Sequence, residues 1–150
     1  MAGEHTLKMS VEGLEDLIDS LKDLSEKYPD RAGGLLQANA KKLRKEVVKR
    51  VKDLTDTDGS SKRSLAKAGS YAISQVQGFG SNQYVEISAK SPHFHLVEHG
   101  HEIVTHSGEK TGRRVPPKHM MRDAVKKTEL EMPSTIEDMV AELLKEEGLL

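Results

Sequence analysis

Leu36, Ala40, Leu43, Val47, Val51 and Leu54 recur at steps of three and four, while Lys41, Lys42, Arg44, Lys45, Lys49, Arg50 and Lys52 lie away from them. This spacing predicts a long helix, beginning near Asp30, with one apolar face that another element must cover. The opposite face is cationic. Such a face could touch phosphates, although a helix face bathed in solvent is the commoner use of a lysine run. Upstream, Val11, Leu14, Leu17, Ile18, Leu21 and Leu24 keep the same spacing, with Ser10 as the expected N-cap. Tyr28-Pro29 is expected to end this first helix, because proline has no amide hydrogen to donate and disfavours helix before it. Its outer face is acidic, carrying Glu12, Glu15, Asp16, Asp19 and Asp23.

Residues 55–64, TDTDGSSKRS, break every periodicity and predict a loop. Beyond it, YAISQVQ (71–77) and QYVEISA (83–89) read as two strands joined through GFGSN. In the second, Val85, Ile87 and Ala89 alternate with Tyr84, Glu86 and Ser88, as one buried face requires. PHFHLVEHGH (92–101) predicts a helix of barely two turns, capped by Ser91, with Pro92 in its first turn and Gly100 as its stop. HEIVTH is a short strand candidate, and the glycine-punctuated segment from Thr105 to Arg114 predicts a polar projecting loop. Two helices should close the chain. One starts near Pro117, buries Met121, Ala124, Val125 and Thr128, and ends before Pro133. The other opens on a Ser134/Glu137 capping box and buries Ile136, Met139, Val140, Leu143 and Leu144. The expected architecture is a single domain over residues 1–150, of class α+β: amphipathic helices packed on a small antiparallel β-sheet, with a long projecting loop.

Aromatic residues are 3% of the chain and apolar residues 35%, so the core must be thin and built from aliphatic side chains. A thin core with several amphipathic helices suggests that some apolar surface is covered by copies of the chain or by a partner. No cysteine is present, which excludes disulfides and thiolate zinc sites and points to a cytoplasmic compartment. No apolar run approaches the roughly 20 residues that span a bilayer, and the N-terminal MAGEHTLKMS lacks the apolar core of a secretory signal. A net charge of -1 argues against a dedicated nucleic-acid binder, and leaves Lys41 to Lys52 as the only stretch for an accessory role of that kind.

His95, Glu98 and His99 have the H-x-x-E-H pattern of one zinc-peptidase class. On a helix the two histidines would share a face and Glu98 would act as base towards a zinc-bound water. Against a small zinc hydrolase stand the shortness of the helix, the want of an identifiable third ligand and the large chamber such enzymes need. His93, His95, His99, His101, His106 and His119 fall close together and could bind metal adventitiously. In the blander interpretation, Phe94, Leu96 and Val97 anchor the helix and the histidines line an exposed edge or a subunit contact. No glycine-flanked nucleophile, phosphate loop or dinucleotide motif occurs, so neither catalytic residues nor a cofactor are expected.

HLVEHGHEI resembles the Y-A-x-x-V-E-[FHY]-G-T segment of phage head-to-tail joining, or tail-completion, proteins, through Val97, Glu98 and Gly100. TDTDGSSKRSLAKAGSYAI is similar to that family's P-x-x-T-G-x-L-x-x-S-I loop around Gly59, Leu65 and Ser70, without its proline. VPPKHMMRDAV resembles the segment that opens the family's later helix, through Pro116, Pro117, Met120, Met121 and Ala124. The resemblance implies a structural virion or prophage protein assembled in the host cytoplasm. Copies would form a ring, usually hexameric, at the head-proximal end of the tail, joining the tail tube to the head connector. DNA would pass through the lumen without sequence-specific contacts, and no enzyme chemistry, small-molecule substrate or membrane would be involved. Interface candidates on this view are Val97, Glu98, Gly100, Lys110, Arg113, Arg114, Met120 and Met121. Charge fits the same picture. The helix from Asp30 is basic, whereas the first helix and the tail residues Glu129, Glu131, Glu137, Asp138, Glu142, Glu146 and Glu147 are acidic, which favours head-to-tail contacts.

Overall fold

A proline inside a helix removes one amide hydrogen bond and typically costs about 3 kcal/mol, so an uninterrupted helix through Pro29 needs support on both sides of it. That support exists. In the computed structural model, which describes residues 14–55, 60–61 and 64–150, a single helix α1 spans Leu14–Thr55 and contains Pro29. Lys27 pairs with Glu147 just before the proline, and Arg31 binds Glu146 at 2.6 Å just after it. The expected break at Tyr28-Pro29 therefore does not occur, and the two predicted helices are one rod of 42 residues. Its expected cap, Ser10, and most of the predicted 55–64 loop, including Gly59, lie outside the described residues.

The same correction applies at the C-terminus. The helix α3 runs Met120–Glu146 through Pro133, so the two closing helices are also one. It starts at Met120 and not at Pro117. Ser134 caps nothing: its hydroxyl donates to the Glu131 carbonyl at 2.9 Å, and the Thr135 hydroxyl donates to the Met132 carbonyl at 2.8 Å. These side chains bind back into the preceding turn, as hydroxyls in helix interiors do. The apolar face continues through the proline, from Met120 and Ala124 to Met139 and Leu143, all buried. The face explains why helix continuity wins, since stopping at Pro133 would expose one half of it.

α3 lies antiparallel along α1. Lys127 reaches Glu46 at 2.9 Å, Asn39 reaches the Met132 sulfur at 3.2 Å, and Arg31 reaches Glu146. α3 thus ends opposite Lys27 and Arg31, and residues 14–26 of α1 run on past it.

β1 (Tyr71–Ile73) and β2 (Ile87–Ala89) form the expected antiparallel hairpin, with Tyr71 opposite Ala89 and Ile73 opposite Ile87. Pairing extends beyond the strands through Gln77 and Tyr84. Val85, Ile87 and Ala89 are half-buried while Tyr84, Glu86 and Ser88 are exposed, so the alternation seen in the sequence marks the real faces. Gln37 on α1 donates to the Ser74 carbonyl at 2.7 Å and docks this hairpin on the helix. A compact core forms where α1, the hairpin and α3 meet: Val47, Val51, Ala66, Tyr71, Met120 and Ala124, ringed by Leu43, Leu65, Ile87, Phe94, Val97 and Met121. The rings of Tyr71 and Phe94 meet edge to face, with centroids 6.0 Å apart.

The short helix α2 covers Phe94–His99. Ser91 assists its entry by accepting the His93 amide at 3.3 Å, but the helix begins two residues after Pro92. The predicted projecting loop from Thr105 to Arg114 is a second hairpin. β3 (His101–Val104) pairs antiparallel with β4 (Lys110–Val115), closed by a turn in which the Thr105 amide donates to the Glu109 carbonyl at 2.9 Å. It does project, since every residue from 102 to 114 is exposed. Periodicity missed β4 because neither face of KTGRRV is buried, so nothing selects apolar alternation. The fold is α+β, with two separate two-stranded sheets in place of one.

Continuity of α3 makes Pro133→Ala a stabilising change, because alanine restores the amide that position 133 lacks in an exposed helix interior. An increase of about 1–3 kcal/mol in urea unfolding free energy is expected. Two helices parted at Pro133 would give no gain.

Candidate functional site

The first turn of any helix leaves backbone amides without intrahelical acceptors, and a buried helix start must find them elsewhere. α3 begins inside the fold, with Met120 fully buried, and its N-cap residue His119 sits at φ 49°, ψ 37° with no side-chain cap of its own. Glu98 of α2 supplies what is missing. Its two carboxylate oxygens accept the amides of Met121 and Arg122, each at 3.0 Å. The adjoining backbone contributes two further bonds: Lys118 donates to the Val97 carbonyl at 3.0 Å and His119 to the Glu98 carbonyl at 3.2 Å. Glu98 is only 5% exposed. A buried carboxylate is stabilised here by charge-assisted hydrogen bonds and by the positive end of the α3 dipole.

Gly100 completes the junction. It holds φ 71°, and a Cβ built on it would sit 2.5 Å from the Val115 carbonyl oxygen and 2.9 Å from the Pro117 nitrogen. Only glycine permits both the angle and the close passage of the chain. Val97 packs against the core, and the His101 ring approaches the Leu96 carbonyl at 3.3 Å. Beneath them, the Tyr71 hydroxyl donates to the Leu65 carbonyl at 2.9 Å. Burial, together with the negative charge of Glu98, pushes the Tyr71 phenol up to about 12.

The structure brings Val97, Glu98, Gly100, Met120 and Met121 together at this α2–α3 junction and places Lys110, Arg113 and Arg114 apart from it, on the exposed strand β4. Val97, Glu98 and Met120 pack within their own chain, and Met121 and Gly100 are half-buried. His95 and His99 are exposed on α2, together with His93 before it, whereas Glu98 is turned into the fold. A glutamate with both oxygens occupied by amides is not poised as a base for a water held by those histidines. Among the described residues, no group of three or more His, Asp or Glu side chains is placed to hold a metal ion. In the basic stretch, Lys41, Lys42, Lys45, Lys49 and Lys52 are exposed, and Glu46 binds Lys127 at 2.9 Å and Arg50 at 3.0 Å. The hydrogen bond from Lys127 holds the Glu46 carboxyl below its ordinary range.

Local spacing could not reveal that Glu98 serves amides 23 and 24 residues downstream. One signal was present: a single acidic residue within an otherwise apolar and histidine-rich helix, followed by a glycine.

A family model described as "Bacteriophage HK97-gp10, putative tail-component" matches residues 15–100, more than half of the chain. The matched span ends on the Val97, Glu98, Gly100 segment. No curated protein and no solved structure matches.

The cap predicts that Glu98→Ala lowers unfolding free energy by about 3 kcal/mol, the scale of losing charged hydrogen bonds to buried amides. Glu98→Gln, which keeps one acceptor oxygen, should lose about half as much. Chemical denaturation of both variants checks this, and an unchanged Glu98→Ala rules out the cap. Tyr71 gives a second expectation. Its phenol ionises near 10 when unfolded and about 12 when folded, so the folded state favours the neutral form. The resulting stability is complete below pH 10 and is lost as pH rises towards 12. Thermal melts from pH 9 to 12 should show a steeper decline for the wild type than for Tyr71→Phe.

Proposed function

Because the chain belongs to the HK97-gp10-like family of phage tail components, we propose that it is a structural protein of the virion and that its copies form a ring, hexameric in number, at the head-proximal end of the tail. In this role it joins the tail tube to the head connector, with DNA passing through the lumen. The observation that carries the reading is the use of Glu98. The most chemically suggestive segment of the chain works as an architectural clamp between α2 and α3, inside the span that matches the family.

Charge distribution supports assembly from identical copies. Glu15, Asp16, Asp19, Asp23 and Glu26 lie exposed at one end of α1, and Lys41, Lys42, Lys45, Lys49 and Lys52 lie exposed towards the other. Unlike patches on one molecule favour heterologous contacts, which close into a ring when the rotation between copies divides a full turn. Exposed ion pairs contribute at most about 1 kcal/mol each, so they steer encounter while apolar contacts hold the ring. No helix among the described residues is long and apolar enough to cross a membrane.

Electron microscopy of the purified protein mixed with tail tubes tests the assignment. Rings, or density capping one end of the tubes, are expected. Tubes with bare ends and a protein showing neither rings nor end-binding would defeat it.

A further inference from the structure

Among the exposed apolar side chains, which include Phe79 and Leu130, two groups lie in stretches of opposite charge. The first is the part of α1 that outruns α3. Further along the rod α3 covers the apolar stripe, but before Lys27 it runs on past the end of α3, leaving Leu17, Ile18 and Leu21 between 42% and 48% exposed. Glu15, Asp16, Asp19, Asp23 and Glu26 flank it, against Lys22 alone, which sits 3.6 Å from Asp19. The second region is the β3–β4 hairpin. Ile103 and Val104 are 39% and 55% exposed. Glu102 is already paired with Lys110 at 2.9 Å and Glu109 sits in the turn, whereas Arg113 and Arg114, towards the base of the hairpin, hold no ion pair among the described residues, so the base is its cationic part. A two-stranded hairpin standing alone in water is marginal, so this arm gains order from whatever it lies against.

The two regions cannot meet within one molecule. Hairpin β3–β4 leads directly into the start of α3, which lies beside the C-terminal part of α1, beyond the Lys127–Glu46 pair. From there to the centre of the uncovered stretch is about 30 residues of helix, or roughly 45 Å, whereas a six-residue strand reaches roughly 20 Å. The basic part of α1 is a poorer match for the uncovered stripe, because Leu43, Val47 and Val51 beside its lysines are turned into the core. Two uncovered stretches laid together would set like charges side by side.

We propose that the β3–β4 hairpin of one copy docks on residues 14–26 of α1 of the next copy. Ile103, at the irregularity in the strand pairing, covers Leu17, Ile18 and Leu21 with Val104 at the edge of the contact, and the long side chains of Arg113 and Arg114 reach the flanking carboxylates of Asp16, Asp19 and Asp23 from the two faces of the ribbon. The contact deepens the assembly reading above and rests on it. It is heterologous, so each copy offers a hairpin forward and a helix end backward, and repetition builds a ring or an open helix of subunits.

The chain has no cysteine, so introduced thiols report on this contact without background. Ile103→Cys and Leu21→Cys variants are mixed and oxidised, alone and together. Mixed disulfide dimers between the two variants are expected to dominate over either self-linked dimer. Placing Arg113→Glu and Arg114→Glu in the Ile103→Cys chain should weaken association about ten-fold, the scale of two exposed ion pairs, with the circular dichroism spectrum unchanged. Wild-type protein that assembles, with cysteine variants that give no mixed dimer or that ignore the charge reversals, overturns this contact and leaves the ring standing. A protein that stays monomeric in sedimentation at every concentration, with and without tail tubes, overturns both.

Discussion

A single carboxylate caps the start of α3 and ties it to α2. Glu98 reaches from a six-residue helix to the opening amides of a 27-residue one. Without it, α3 would begin in the interior on a left-handed histidine with unsatisfied amides, in an environment that penalises unpaired polar groups. With it, Met120 and Ala124 are held against Val47 and Val51, and α3 is aimed along α1. Gly100 depends on the same arrangement, since the close approach to Val115 and Pro117 arises where the chain leaves α2 and returns to start α3.

The two prolines show how tertiary packing overrides local preference. Pro29 and Pro133 both read as helix stops by their chemistry, and both lie inside continuous helices. At each, the apolar stripe on one side of the proline keeps its phase on the other; α1 spans the join at Pro133, whereas α3 ends opposite Pro29. Summed burial along a 27-residue interface outweighs the roughly 3 kcal/mol that one interior proline costs. Ion pairs from Lys27 and Arg31 to the end of α3 straddle Pro29.

Much of the fold is legible in residue order. The stripe from Leu36 to Val51, the first hairpin with its Val85, Ile87, Ala89 face, and the stubby helix stopped by Gly100 all follow from short-range spacing, because one face of each is buried. Less legible were elements governed by partners distant in sequence. β4 buries neither face and so carries no pattern. Ser134 and Glu137 imitate a helix start because the capping motif is local, while the face that includes Met139 and Leu143 belongs to a helix begun much earlier. At the α2–α3 junction, the segment's importance could be read from its composition, but the role of Glu98 could not, since its amide partners lie in another helix.

The distribution of buried and exposed residues along α1 also bears on how such a chain diverges. The main buried cluster gathers around Val47, Val51, Tyr71 and Met120, and the α1–α3 contact extends it to Met139 and Leu143, whereas the acidic helix end and the cationic hairpin are remote from both and contribute little to them. Substitutions at these extremities are therefore insulated from folding. A lineage could rewrite which neighbours it accepts while the scaffold remains untouched, and pairs of tips would drift together, each change in one copy's arm answered on the rod it meets.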